Sequence, residues 1–276
     1  MKGFHIIVSA ENNAYMAWQC KLFHYSCVSR VGMTPTIFVH DSGHGWHPGF
    51  YDIVRAGGHV HGLRSYAYTS TGSLYQPRNT AGTLIEATDI LRDDYLVLCD
   101  PDMIFLRKPN FEPALSGSFY SGMDYNKEEV LSASSKLGIP SEEILNRPEL
   151  RCGVPHVIPI EVGRLLGQTW LRIIDQFALT IWEVSMYALG LAVTQLKMPI
   201  RLNSLVGREY RMISKPDGDM IHYCYSRDLW DKRLFYTEEA ARRVWAAQGE
   251  APEGTIMAEI LQQLREARDF YFQPSI

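Results

Sequence analysis

"YLVLCDPDMIFLRKP", residues 95–109, carries a run of strand-like apolar residues straight into two aspartates separated by one proline, then resumes with "MIFL". Buried carboxylates are costly unless paired, hydrogen-bonded or bound to a cation. Residues two apart on an extended chain face the same side, and Pro101 biases Asp100 away from the helical region. The stretch therefore predicts an extended motif that presents Asp100 and Asp102 to one point at the carboxyl end of a buried strand. Ligands of open α/β sheets gather at such ends. Two carboxylates there suit a hard divalent cation, Mn²⁺ or Mg²⁺, and a cation so held can neutralise a departing diphosphate.

Outward from this motif the chain alternates. "FHIIVSA" (4–10), "PTIFVHD" (35–41) and "GGHVHGL" (57–63) read as strands. "AYMAWQCKLFHYSCVSRVG" (14–32) has helical spacing and ends in Gly32 at a C-cap position. "RNTAGTLIEATDIL" (78–91) reads as a helix capped by Asn79 or Thr80. This alternation predicts an α/β fold with a mostly parallel central sheet flanked by helices. Further on, "SFYSGMDY" and "GVPHVIP" read as strands, 162–181 and 183–196 as helices, and "MIHYCY" (220–225) as a late strand. Amphipathic helices are expected near 237–247 and 255–270. No repeat or linker divides the chain, so a single domain over 1–276 is expected, with a nucleotide-binding half (1–110), an acceptor-binding half (111–235) and C-terminal helices (236–276).

Composition narrows the function classes. A net charge of −4 over 276 residues shows no basic excess, which argues against a nucleic-acid partner. No apolar run approaches the roughly 20 residues that cross a bilayer, so no membrane span is expected. The apolar start "FHIIVSA" is too short for a signal peptide and lacks a small-residue cleavage pattern. A cytoplasmic protein is expected, or a lumenal one whose N-terminal anchor has been removed. The cysteines (20, 27, 99, 152, 224) are odd in number and form no Cys-x-x-Cys pair, which reads as small core residues in a reducing compartment.

Asp-x-Asp alone is a weak pattern, and "KPDGDM" supplies a second instance, Asp217 and Asp219. That pair lies in a Pro/Gly turn, where aspartates normally bond their own backbone. His222 is the natural third ligand, because Mn²⁺ accepts one nitrogen among oxygens. By local context alone His40, His44, His47, His59 and His61 have equal claim.

A resemblance separates them. "AYMAWQCKLFHYSC", "QPRNTAGTLIEATDILRDDYLVLCDPDMIFLRKP", "GVPHVIPIEVGRLLGQTWLRI", "WEVSMYALGLA" and "IHYCYSRDLWDKRLF" follow, in order over roughly residues 4–235, segments of the hydroxyproline O-arabinosyltransferases and the related peptidyl serine α-galactosyltransferases. The chain resembles that family. The resemblance implies a GT-A glycosyltransferase moving a hexosyl or pentosyl group from a nucleotide-diphosphate sugar, expected to be a UDP-sugar, to a hydroxyl of a peptide or small acceptor. It places Asp100, Asp102 and His222 at the metal, and Ser9, Ala10, Glu11, Arg78 and Asn79 at the nucleotide. Lys232 and Arg233 match a basic pair suited to holding a diphosphate, since cations there stabilise a departing phosphate.

One departure bears on chemistry. Ser185 stands where the family has a glutamate, and Glu183 lies two residues earlier, about 200° away around a helix. Asp124, in "SGMDY", is read at a strand end and could compensate. Glu183, Ser185 and Asp124 are thus the catalytic candidates. The resemblance implies transfer with retention of anomeric configuration, and because a serine is a poor nucleophile without an adjacent base, front-face attack is the expected route. Trp46, in the polar loop "HDSGHGWHPG", is the tryptophan best placed to act as a binding element. The alternative is a catalytically silent nucleotide- or glycan-binding protein. An aspartyl phosphatase fits poorly, because Ile104 stands where such enzymes need Thr or Val.

Overall fold

The computed structural model describes residues 2–272 apart from 42, 44, 180, 209–210, 224–229, 247–248 and the side chain of Asp41. Its strands are β1 (Phe4–Glu11), β2 (Thr36–Asp41), β3 (His59–Arg64), β4 (Tyr95–Cys99), β5 (Met103–Phe105), β6 (Ser116–Phe119), β7 (Cys152–Pro159), β8 (Arg201–Asn203) and β9 (Met220–His222). Its helices are α1 (Ala14–Ser26), α2 (Pro48–Arg55), α3 (Arg78–Ile90), α4 (Glu128–Lys136), α5 (Glu142–Leu145), α6 (Ile160–Ile174), α7 (Val184–Gln195), α8 (Glu238–Arg243) and α9 (Ile256–Phe272).

Seven strands form one sheet in the order β3-β2-β1-β4-β7-β6-β8, while β5 and β9 form a separate pair. β1, β2 and β3 run parallel, as do β6 and β8; β7 runs antiparallel to both β4 and β6. The α/β, helix-flanked and mostly parallel architecture is the one the alternation predicts. The chain divides into two compact units: Met1–His5, Ser65–Leu98 and Phe111–Asn203 in the first, and Ile6–Arg64, Cys99–Asn110 and Ser204–Ile276 in the second.

In the first unit α6 packs on α3 and α7. A Cβ on Gly163 would lie 2.6 Å from Thr88 Cγ2, and one on Gly167 would lie 2.7 Å from Ile85 Cγ1, so glycine at both positions is what lets α6 approach α3 this closely. α7 is buried nearly all round, as its almost unbroken apolar sequence requires.

In the second unit α1 packs on α2, α9 and β5. Trp18, Leu22, Ile104, Ile221, Tyr223, Trp230 and Ile260 form one core cluster there. β5 is wholly buried, and it is pinned from both sides: Phe105 N donates to Ser26 Oγ at 3.2 Å, and Gln263 Nε2 donates to the Phe105 carbonyl at 2.9 Å.

Several local expectations change. The helix from Ala14 ends at Ser26 and continues as a π-helical turn over Cys27–Val31, with Gly32 in the left-handed region (φ 74°) as the C-cap. Neither Asn79 nor Thr80 caps α3. The chain already turns at Tyr75–Pro77, whose carbonyls accept from the amides of Arg78, Asn79 and Thr80, so Pro77 is the cap. "SFYSGMDY" is a strand only to Phe119, since the Met123 amide turns back to the Tyr120 carbonyl. The helix expected over 162–181 runs from Ile160 to Ile174 and is closed by Asp175. Of the late strand expected over 220–225, residues 224 and 225 lie outside the described residues. Among the described residues no helix is long and apolar enough to cross a membrane. Cys20, Cys27, Cys99 and Cys152 are free and buried; Cys224 lies outside the described residues.

Candidate metal centre

The apolar run of β4 stops at Cys99, and Pro101 and Asp102 form a turn before β5 begins. The acidic motif is therefore bent rather than extended. β5 and β9 then pair antiparallel with Met103 opposite His222, and the Tyr223 amide donates to the Asp102 carbonyl at 3.1 Å. That register, rather than a shared strand face, brings the imidazole to the carboxylates. His222 Nε2 lies 3.2 Å from Asp102 Oδ1 and 3.9 Å from Asp100 Oδ2.

One ligand atom from each of Asp100, Asp102 and His222 lies within 4.8 Å of the other two, and no other group of three such residues occurs among the described residues. Ligands about 2.1 Å from one ion at right angles lie about 3 Å apart, so small adjustments close this set around a divalent cation. Two carboxylate oxygens and one imidazole nitrogen are a donor set for Mn²⁺ or Mg²⁺, and three protein ligands leave coordination positions for phosphate oxygens.

The two carboxyls are electrostatically unequal. Asp102 is buried, with 10% of its side chain exposed, and its Oδ2 pairs with the ammonium of Lys232, which is equally buried. Burial alone would raise Asp102, but His222 and Lys232 hold it well below the usual carboxylate range. Asp100 keeps 36% of its side chain exposed. Burial first, and Asp102 second, push its carboxyl above the usual range, against the opposing pull of His222 and Lys232.

No protein-family profile and no curated protein sequence matches the chain. Solved structures do. The galactosyltransferase LgtC, in complex with donor and acceptor sugar analogues, superposes with a TM-score of 0.52 at 14% identity, over 90% of this chain and 98% of LgtC. The bifunctional glycosyltransferase WbbM, in its apo structure, gives a TM-score of 0.49 at 12% identity; the match takes in 98% of this chain but spans only 51% of WbbM. The fold is that of the GT-A glycosyltransferases.

Within this GT-A fold the remaining candidates fall in distinct surroundings. Ser9 and Ala10 are buried in β1 in register with Phe38 and Val39, and burial raises the carboxyl of Glu11 at the strand's end. Asn13 then caps α1 by accepting from the Met16 amide at 2.8 Å.

Arg78 meets Asp175 with Nε to Oδ1 at 3.1 Å and Nη2 to Oδ2 at 3.2 Å, and its Nη1 donates to the carbonyls of Tyr66 and Tyr68, each at 2.8 Å. Asn79 is buried and accepts from the Tyr66 amide at 2.8 Å. Both side chains thus bracket the segment after Ser65 onto the start of α3.

Lys232 belongs to the acidic cluster. Arg233, more exposed, turns back onto Asp231 with Nε 3.0 Å from each carboxylate oxygen. Sequence reasoning passed over Asp231. Its signal was available, since an aspartate ahead of a short helical turn is a capping residue, and its carboxylate accepts from the Arg233 amide at 2.8 Å.

Glu183 is the N-cap of α7 and lies 4.0 Å from Lys127 Nζ. Ser185 is buried. Its amide donates to the Tyr75 hydroxyl at 2.8 Å, its carbonyl accepts from Trp170 Nε1 at 2.6 Å, and its hydroxyl faces the Pro77 carbonyl at 3.4 Å. Asp124 sits in a turn, not at a strand end, and accepts from the Asn126 amide at 3.0 Å. Trp46 lies tilted against Tyr51, with ring centroids 5.5 Å apart and 42° between the ring planes. Asp217 accepts from the Arg208 amide and Asp219 pairs with Arg107, so the second acidic pair is a set of turn and surface bonds. Of the competing histidines, His40 faces the Arg64 carbonyl, His47 caps α2 and meets Glu238, His61 stacks on Phe38, and His44 lies outside the described residues.

Proposed function

We propose that the protein is a metal-dependent glycosyltransferase that moves a sugar from a nucleotide-diphosphate donor, a UDP-sugar first among candidates, to a hydroxyl of a peptide or small acceptor. The observation that carries this reading is the convergence of Asp100, Asp102 and His222 in a GT-A fold. A cation held there supplies positive charge to the diphosphate as it becomes the leaving group. Lys232 adds charge of the same sign. Ser9, Ala10 and Glu11 bind the nucleoside in this proposal. Glu183 orients the acceptor hydroxyl, and transfer proceeds with retention by front-face attack, because the hydroxyl of Ser185 has a backbone carbonyl rather than a base beside it.

Nucleotide-sugars screened for hydrolysis with Mn²⁺, with and without chelator, test the reading. Chelator-sensitive hydrolysis of at least one donor is expected, with Asp102→Ala lowering it by about 10³-fold while the far-ultraviolet circular dichroism is unchanged. Hydrolysis indifferent to chelator would end the metal assignment. Tight nucleotide binding with neither hydrolysis nor transfer would establish the silent binding protein instead.

A further inference from the structure

Lys232 occupies an unusual position for a group meant only to greet a ligand. Its ammonium pairs with Asp102 Oδ2, and only 10% of either side chain is exposed. The other oxygen, Oδ1, faces His222 Nε2 at 3.2 Å. Lys232 opens a short 3₁₀ turn whose cap, Asp231, is itself buried. The preceding residue, Trp230, is wedged edge-on against Trp18 and Tyr223 at centroid distances of 6.4 and 5.8 Å. The ammonium is thus delivered by a packed segment.

We infer that Lys232 is the resident counter-ion of the acidic pair, and that it makes cation and diphosphate bind as one unit rather than in independent steps. This rests on the metal and diphosphate reading above. A ligating imidazole must be neutral, so two carboxylates and one ammonium leave the four side chains with a single negative charge. A divalent cation converts that to a single positive charge in a largely buried place, which an anion must offset. Without the lysine, the same cation would bring the site to neutrality and require no anion. Lys232 therefore weakens the site for the bare cation and strengthens it for the cation with its diphosphate. By linkage, the factor by which nucleotide tightens metal is the factor by which metal tightens nucleotide.

The test is Mn²⁺ uptake by the full chain, read from the paramagnetic resonance of free Mn²⁺, alone and with UDP or GDP. In the wild type either nucleotide should tighten Mn²⁺ by about 30-fold, within the usual range of coupling between two sites. In Lys232→Met, Mn²⁺ alone should bind about tenfold tighter than in the wild type, and the nucleotide's effect should fall below about threefold. Lys232→Gln, which keeps a polar group beside Asp102, should change in the same direction, and Lys232→Arg should behave as the wild type. If both neutral variants bind bare Mn²⁺ equally or more weakly, the lysine merely positions Asp102 and the inference fails. Undiminished coupling in them would overturn it as well. A wild type that takes up no Mn²⁺ even with nucleotide would remove the metal reading itself, and the inference with it.

Discussion

Each of the two units buries charge, and they do so to different ends. In the first, Arg78 and Asp175 meet through two parallel bonds, and Arg78 gives further donors to two carbonyls. Cation and anion balance there, and the result fixes where a helix starts. In the second unit Asp100 and Asp102 share one lysine and one imidazole among the described residues. With the imidazole neutral, as a metal ligand must be, the balance is left one positive charge short. A saturated network is architecture, whereas an unbalanced one recruits something from solution.

The strongest way to break this contrast is Arg78→Ala. Asp175, with 13% of its side chain exposed, would be left buried without its partner, at a cost of about 3–5 kcal/mol. Urea unfolding should show the loss. A variant as stable as the wild type that fails to bind nucleotide would make Arg78 a ligand group and erase the distinction between the units.

Acid should strike both units in a related way. His156 in the first unit and His24 in the second are buried, and burial holds each imidazole neutral with its pKa lowered to about 4. Unfolded, each titrates near about 6.5. Unfolding therefore takes up protons between those values, so stability that is fully present above about pH 6.5 is lost as the pH falls, by about 3 kcal/mol for each imidazole at pH 4. Urea midpoints at pH 7.5, 5.0 and 4.0 measure this. A midpoint that holds steady or rises toward pH 4 would contradict burial as the cause.

Glu183 sharpens the comparison within the first unit, because it is only partly buried and its nearest cation among the described residues is 4.0 Å away. Glu183→Gln should lower turnover by about 10–100-fold, the scale of an orienting or acid–base role. Complete loss, or a trapped glycosyl-enzyme on Glu183, would refute front-face attack. Ser185→Ala should do least: about 1 kcal/mol of stability and less than about threefold in turnover. A far larger kinetic loss would turn a packing residue into a chemical one.

The sequence made some of this legible and hid the rest for identifiable reasons. Alternating apolar runs predict the strands from β1 to β4 because a sheet covered by helices needs strands buried on both faces. The aspartates stand out because they interrupt such a run. Their geometry does not, since a turn and an extended chain bring Asp100 and Asp102 together equally well on paper. His222 could not be chosen over five other histidines by local pattern, because what selects it is its register opposite Met103. The capping expectation at Asn79 failed for a related reason: the amide that Asn79 satisfies belongs to Tyr66, on a segment that returns to the helix from outside it. Asp175 is 97 residues from Arg78, and no propensity reports a bond of that span.

The short β5–β9 pair also has a consequence for how the protein is made. Asp102 waits 120 residues for His222 and 130 for Lys232. At about 5–20 residues per second of synthesis, the acidic turn leaves the ribosome roughly 6–26 seconds before its partners exist. A nascent chain therefore carries only the two carboxylates of the candidate cation site while those 120 residues are made, and metal cannot guide the folding of the first two hundred residues. Assembly of the site is a closing event, available only to chains whose late strand has already found β5.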